Sequence, residues 1–318
     1  MSETIVVTGA LGGSGSWIVD RLREDCRVVA IDRELPDRWV ENVDFRAVDL
    51  TEQGPTWETI VDADPDSVVH FGNIPHEANH PGGDVYRNNA LSTFNVLEAA
   101  GRADARVVWA SSETVYGTHW PEPQLPASLP IDEEHPTAPW NGYETSKLAG
   151  EAAAERVANA FGIRVASIRP SWIQYPGSYD LTPIREGFDL DDAGRSGNLW
   201  SYIDVRDVVG IVEAALTTDF DGHEVFNAFA ADTYLDVPTV DAIEAGYGDL
   251  PEERDLDGTD SGFSTAKAGD LLGWEPEHSG GRPKPRQSTG RRSSERAGRE
   301  SFRDRPQARA VEPATGCD

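Results

Sequence analysis

Lysine is nearly missing from this chain. Lys147, Lys267 and Lys284 are the only three among 318 residues. Lys plus Arg total 28 against 56 Asp plus Glu, a net charge of −28. Such a surface repels phosphate, so nucleic acid is excluded as a partner of the main body. Cysteine is also scarce. Cys26 and Cys317 stand at opposite ends with no metal-ligand spacing. Neither a disulfide framework nor a zinc site is indicated, no metal is expected, and a reducing cytoplasm fits. No apolar run approaches the roughly eighteen residues that a membrane span requires. No basic-then-apolar leader precedes "TIVVTG", so no secretory signal is expected.

What is present is alternation. "TIVVTG" reads as a buried strand, then a Gly-rich turn and a helix to about Glu24. "RVVAID" and "VDFRAVDL" read as the next strands, followed by "DSVVHFG" and "ARVVWASS". "NNALSTFNVLEAAG" between those two is helical, with Gly101 as a stop signal. "YETSKLAGEAAAERVANAFG" is a long helix ending at Gly162, and "IRVASIRP" is a strand after it. "VRDVVGIVEAAL", "EVFNAF" and "TAKAGDLLGWEP" supply a helix, a strand and a closing helix with its turn. This order predicts an α/β fold of Rossmann type: a doubly wound parallel sheet with a small C-terminal substrate lobe. Residues 1–170 form the first part of the dinucleotide-binding core. Residues 171–278 hold the lobe and the returning core elements. From 279 the text turns basic, with ten Lys or Arg and five Asp or Glu, and loses its apolar period. That tail is expected to be disordered. It is either a native basic arm or an out-of-frame reading of GC-rich coding sequence, and no activity is drawn from it.

The first turn carries chemistry. Gly9, Gly12 and Gly15 stand at three-residue spacing between strand and helix. Glycines there let the backbone approach a pyrophosphate at the helix N-terminus. Asp32 ends the second strand, 17 residues after Gly15. An acid there accepts hydrogen bonds from the adenosine ribose and repels a 2′-phosphate, which favours NAD over NADP. Arg33 follows at once and softens that preference. Asp49 and Leu50 end the third strand and are candidates to border the adenine.

Tyr143 and Lys147 stand four apart on a helical stretch, so they share a face. A free tyrosine is a poor base near neutrality. A neighbouring lysine cation and a positive nicotinamide ring both favour the phenolate. The phenolate can then take a proton from a substrate hydroxyl while hydride leaves the same carbon. Lys147 can also reach the nicotinamide ribose. In "WASSETVYG" either Ser111 or Ser112 can hold the substrate oxygen. A lone Tyr-x-x-x-Lys is usually only a solvated helix face. Here it follows a nucleotide loop, an acidic strand end and a Ser-rich strand end, in that order.

Together these segments resemble the extended short-chain dehydrogenases/reductases of the NAD-dependent epimerase/dehydratase group. The likeness runs through "VVTGALGGSG", "AID", "VDL", "HFGN", "NNALSTFNVLEAA", "SSETVYG", "YETSK" and "LLGWEP", nearly all of residues 1–276. It implies an NAD-dependent enzyme acting on a sugar, and Ser112, the second serine of "SS-x-x-VYG", as the catalytic one. It implies that Asn89 helps organise the site and that Phe71 and Gly72 line the cofactor. Homodimers through the helices around 84–102 and 143–161 are usual in the group. The acidic, lysine-poor composition further resembles that of proteins from salt-loving archaea.

The substrate is less legible. Nucleotide-sugar epimerases usually carry "R-x-x-N-V-Y-G-P", whereas this chain reads "RPSWIQYPG", with Trp172 at the asparagine. About twenty residues join "YPG" to "WSYIDVRD", too few to clasp a large nucleotide. "HFGNIP" and the spacing of Arg195 and Trp200 are similar to uronate dehydrogenases, which implies Arg195 as a carboxylate clamp. Glu113 and Ser111 are further substrate-side candidates. The leading expectation is dehydrogenation of a free aldose or sugar acid by Ser112, Tyr143 and Lys147. The alternatives are a nucleotide-sugar 4-epimerase or dehydratase with retained NAD, and a non-catalytic NAD-binding regulator.

Overall fold

The computed structural model describes residues 3–117 and 123–279. Apart from Ser279, the basic tail lies outside the described residues. In chain order the elements are β1 (Thr4–Thr8), α1 (Gly13–Leu22), β2 (Arg27–Asp32), β3 (Val43–Ala47), α2 (Gln53–Ala63), β4 (Ser67–His70), α3 (Gly82–Arg102) and β5 (Arg106–Ala110). Next come β6 (Ser128–Leu129), α4 (Gly142–Phe161), β7 (Val165–Pro170), β8 (Ile173–Gln174), α5 (Leu181–Glu186) and β9 (Ile203–Asp204). The chain continues with α6 (Val205–Thr217), β10 (His223–Ala228), α7 (Thr239–Tyr247), β11 (Glu253–Arg254) and α8 (Ala266–Leu272).

The seven longer strands form one parallel sheet in the order β10-β7-β5-β4-β1-β2-β3. Their apolar runs are buried on both faces, as a parallel sheet between helix layers demands. Ile18 and Val19 of α1 pack on one face with Val208, Val209 and Val212 of α6 and Ala268 of α8. Ile60 of α2, Val96 and Leu97 of α3, and Ala154 and Val157 of α4 pack on the other. Strand order reverses between β1 and β4, and the crevice beyond their C-terminal ends is where such sheets bind ligands. The doubly wound architecture read from the sequence is the one observed.

One boundary differs from the sequence reading. Gly101 does not stop its helix; α3 runs on to Arg102. A Cβ on Gly101 would lie 2.4 Å from the Phe161 ring, so this glycine serves the close approach of α3 to α4. The apolar cluster of the C-terminal part also draws on segments before residue 171. Val115, Tyr116, Leu129 and Ile131 share a cluster with Leu199, Trp200, Tyr202, Phe229 and Phe263. β6 pairs with β11, and Ile131 bridges to Phe263. The lobe is therefore assembled from segments on both sides of β7. The described body closes at its end, where the backbone N–H groups of Glu277 and His278 donate to the Asp207 carboxylate at 3.1 and 2.9 Å.

Gly150 marks the tightest joint behind the crevice. A Cβ there would lie 2.5 Å from the Trp109 ring, and Trp109 is fully buried with its indole N–H donating to Ser167 Oγ at 2.6 Å. That ring cannot yield, whereas the half-buried Phe161 ring facing Gly101 can. We expect Gly150→Ala to destabilise the fold by about 1–3 kcal/mol despite the better helix propensity of alanine, and Gly101→Ala to cost less. Thermal unfolding of the two variants, at roughly 2–4 °C per kcal/mol for a domain of this size, checks the order.

Candidate active site

The Gly-rich turn is shaped for close approach. Gly9 has φ +68°, a left-handed conformation, and a Cβ on it would meet the Phe71 backbone at 2.6 Å. A Cβ on Gly15 would lie 2.0 Å from Gly9 O. These two glycines serve backbone packing. Gly12 differs: its Cβ would meet only Gly9 O, at 3.1 Å, and open space otherwise. Gly12 therefore presents bare backbone at the N-terminus of α1, the surface a pyrophosphate needs. Over the next residue lies Tyr175, whose phenol is 3.1 Å from Ser14 Oγ. Asp32 is fixed by the turn itself, accepting from Leu11 N at 2.8 Å and Arg33 N at 2.7 Å. Its charge is thus held at the tip of β2. Arg33 leans away to Asp49, 3.3 Å between Nη2 and Oδ2, with both side chains exposed. Asp49 also accepts from Thr51 N and Oγ1, and these bonds hold its carboxyl below the usual range. Leu50 is buried, and its side chain lies where a Cβ on Gly72 would fall.

Helix α4 delivers the tyrosine and the lysine. Asn141 caps it, accepting from Glu144 N at 2.9 Å, while Asn141 Nδ2 donates to Glu144 Oε1 at 3.0 Å. Trp140 N also donates to the Glu144 carboxylate. This reciprocal cap fixes the first turn, where Tyr143 stands. Gly162 ends the helix in the left-handed conformation, as the sequence indicates. Glu77, in the loop after β4, accepts from Tyr143 N at 3.0 Å and so ties that loop to the helix start.

Lys147 lies one turn on and is 2 % exposed. Its Nζ donates to Asn73 Oδ1 at 2.8 Å and Ala110 O at 2.7 Å. It sits 5.6 Å from the centre of the Trp109 ring and 5.4 Å from that of Tyr143. Burial pulls its pKa down to about 7, opposed by the charge of Glu151 one turn further along α4. Tyr143 is pushed the other way, to about 12, because burial of its hydroxyl outweighs the hydrogen bond from Ser112; Glu113 and Glu144 add to the rise. In the protein by itself, burial thus holds both groups toward their neutral forms.

Ser112 and Ser111 are separated by strand alternation. Ser112 is the hydrogen-bond partner of Tyr143. Its oxygen accepts from Thr114 N and Oγ1 at 3.3 and 3.1 Å, which leaves its own proton to donate. Ser111 turns the opposite way and donates to Glu151 Oε1 at 2.6 Å. Glu151 also takes a two-pronged bond from Arg169, at 2.9 and 2.7 Å, so Ser111 belongs to a buried ionic support behind the site rather than to the substrate side.

Asn89 is fully buried, and both its side-chain atoms hold Ile74, at 2.8 and 2.9 Å. It organises the loop after β4 and does not line a cofactor surface. Arg195 donates through Nη1 to Pro123 O at 3.2 Å and lies 5.6 Å over the Tyr247 ring, at the wall of the lobe. Trp172 packs edge-on against Tyr234, with ring centres 6.2 Å apart.

The residues overlooked in sequence are Asn73, Glu77 and Thr114. Asn73 has the clearest signal, closing the strand-end text "HFGN". Besides holding Lys147, its Nδ2 lies 3.1 Å from His70 Nε2 and 2.9 Å from Gly72 O. His70 is buried, bonded to Thr8 Oγ1 at 2.7 Å, and burial pushes its pKa down to about 3, so it stays neutral. Among the described residues no cluster of metal-ligating side chains forms, and no helix is long and apolar enough to cross a membrane.

Residues 5–228 match the sequence model of the NAD dependent epimerase/dehydratase family. The chain belongs to that family, whose crevice and glycine turn these are. It is similar to a putative UDP-glucose 4-epimerase of Methanocaldococcus jannaschii, 34% identical over 52% of this chain and 55% of that protein. It is also similar to the L-arabinose 1-dehydrogenase (NAD(P)(+)) of Haloferax volcanii, 31% identical over 59% of this chain and 72% of that protein. Across the first curated relatives the match spans about half of their length. Among solved structures, the glucuronic acid dehydrogenase of Chromohalobacter salexigens shares the fold: TM-score 0.63, 23% identity, 88% of this chain and 86% of that one. Nicotinamide dinucleotide is bound in structures of this fold.

The buried lysine makes a thermodynamic prediction. Its native pKa of about 7 lies below the ordinary 10.5, so between those values the unfolded chain binds a proton that the native state refuses. Lys147 therefore adds stability as pH rises from about 7 to 10.5 and withholds it below. The difference in unfolding midpoint between wild type and Lys147→Met should shift in favour of wild type over that range. A difference independent of pH would contradict the burial.

Proposed function

We propose that the protein is an NAD-dependent dehydrogenase of a free sugar, an aldose or a sugar acid. The compactness of the lobe carries this reading. Between Gly177 and Trp200 it offers only α5 and a single turn at Leu190–Asp192, a short wall for a nucleoside diphosphate. Trp172 fills the place of a nucleotide-binding asparagine and is packed on Tyr234. The similarity to an arabinose dehydrogenase and the fold shared with uronate dehydrogenases point the same way.

Gly12 and the start of α1 would hold the pyrophosphate, Asp32 the adenosine ribose, and Lys147 the nicotinamide ribose. When bound, the oxidised dinucleotide supplies a positive ring that accepts hydride from the carbon bearing the reacting hydroxyl. Ser112 donates its proton to the substrate oxygen and aligns it. Tyr143, as the phenolate, takes the hydroxyl proton while that carbon becomes a carbonyl. Lys147, pinned by Asn73 and Ala110, places a proton-bearing nitrogen beside the phenol. NADH then leaves. NAD is preferred to NADP because the Asp32 carboxylate is locked at the ribose, and Arg33 is drawn off to Asp49. Dimerisation through α3 is part of the proposal, supported by exposed Tyr86, Leu91 and Phe94 on that helix.

The second reading, a nucleotide-sugar 4-epimerase that keeps its NADH, is favoured by the similarity to the Methanocaldococcus protein. Steady accumulation of free NADH with an aldose or uronate panel supports the dehydrogenase. No accumulation, with interconversion of UDP-glucose and UDP-galactose, supports the epimerase. Tyr143→Phe should lower turnover by about 10²–10⁴-fold while NAD⁺ binding persists. A variant with unchanged turnover would remove Tyr143 from the chemistry. Asp32→Asn should raise the KM for NAD⁺ about tenfold and narrow the preference over NADP⁺, read from initial rates with each cofactor.

A further inference from the structure

Tyr175 meets the phosphate turn from the far side of the chain. It follows β8 directly, and its phenol oxygen lies 3.1 Å from Ser14 Oγ. The contact depends on Gly13. A Cβ on that glycine would lie 2.6 Å from the Tyr175 hydroxyl and 3.0 Å from the ring carbon that bears it. The first turn of α1 is thus left bare where this phenol rests. The ring itself is half-buried.

The phenol is presented by a braced segment. β8 pairs with β9, Ile173 with Ile203 and Gln174 with Asp204. Gln174 Oε1 accepts from Leu181 N at 3.3 Å, which ties the start of α5 to the strand. Between them Gly177, at φ +88°, allows a turn in which Ser178 N donates to Tyr175 O at 3.0 Å. Tyr179 then donates to Asp204 at 2.7 Å. Tyr175 is held from both sides, so its hydroxyl is placed before any ligand arrives. Burial raises its pKa, and it keeps its proton near neutrality.

A pyrophosphate on this turn needs donors. Its charge comes to the N-terminus of α1, where the first N–H groups have no partner within the helix. No Lys or Arg stands between Ala10 and Asp20, and Arg33 is drawn to Asp49. The turn itself therefore offers only neutral N–H and O–H donors. A phenol has one proton and two lone pairs, so it can accept from Ser14 and donate to an anion at once. Such a bond to a charged oxygen is stronger than one between neutral groups.

We propose that Tyr175 is a further cofactor-binding residue, accepting a hydrogen bond from Ser14 and donating one to a phosphate oxygen of the dinucleotide. Through it the β8 segment is fastened to the cofactor. The proposal rests on the pyrophosphate placement given above, and it holds for a dehydrogenase and an epimerase alike.

The test measures binding to the full chain. ADP-ribose, which carries the pyrophosphate without nicotinamide, is titrated by calorimetry. Adenosine, which carries neither, is titrated by saturation-transfer NMR. Tyr175→Phe keeps the ring and removes the hydroxyl. It should weaken ADP-ribose about tenfold and leave adenosine within about twofold of wild type. Gly13→Ala pushes the phenol off the turn. It should also weaken ADP-ribose, but by less than about twofold when added to Tyr175→Phe, because the same bond cannot be lost twice. An ADP-ribose affinity unchanged in a folded Tyr175→Phe protein overturns the proposal. So does an equal weakening of adenosine, which would mark a general loosening of the turn. Losses that multiply in the double variant overturn it too, since the two changes would then act on different contacts. Failure of the wild-type protein to bind ADP-ribose overturns the pyrophosphate placement and this proposal together.

Discussion

The site depends on one constraint: a lysine ammonium has been taken out of water at the end of a parallel sheet. Its nitrogen is satisfied by Asn73 Oδ1 and the Ala110 carbonyl, with the Trp109 ring beneath it. Each of those partners needs its own support. Trp109 is pinned by Ser167, and Gly150 gives α4 the clearance to lie on it. Asn73 is placed by a loop that Asn89 holds at Ile74 and that Glu77 ties to the start of α4. Glu151, held by Arg169 and Ser111, provides the countercharge one turn away. A burial that costs several kcal/mol for a bare ion is thus spread over β4, β5, β7, α3 and α4.

This arrangement gives the chemistry its logic. With burial raising the phenol to about 12 and lowering the lysine to about 7, the protein alone keeps the phenol neutral and leaves the lysine poised between its charged and neutral forms near pH 7. A phenolate is favoured only when positive charge enters the crevice, and the oxidised nicotinamide ring carries such charge. On the proposed dehydrogenase reading, base strength is then linked to cofactor occupancy, so the proton acceptor is strongest when a hydride acceptor is in place.

Much of this was legible in the sequence because period and order carry it. Both-face apolar strands, the spaced glycines, Asp32 at a strand tip and the four-residue spacing of Tyr143 and Lys147 are local patterns, and local patterns survive without tertiary context. Other assignments needed three dimensions. Ser111 and Ser112 are chemically identical neighbours, and only the facing of β5 sends one to Tyr143 and the other to Glu151. Gly101 has the composition of a helix stop, but its role is set by Phe161 approaching from another helix. Arg195 is marked in the sequence by its spacing to Trp200, whereas its contacts with Pro123 O and the Tyr247 ring come from segments about seventy and fifty positions away. Asn73 closes the strand-end text "HFGN", but its role is visible only when Lys147 is seen against it. The share of the C-terminal apolar cluster that precedes residue 171 was not legible, because its early strand, β6, is two residues long and pairs across more than a hundred positions.

The central claim is that Tyr143 is a phenol in the protein alone and becomes a phenolate when the oxidised dinucleotide is bound. An ultraviolet tyrosinate titration of wild type, with Tyr143→Phe subtracted, measures this directly in the absence and presence of saturating NAD⁺. The account predicts a midpoint near 12 without NAD⁺ and one lower by at least about two units with it, while NADH leaves it high. The same midpoint in both conditions would contradict it and would require another origin for the base.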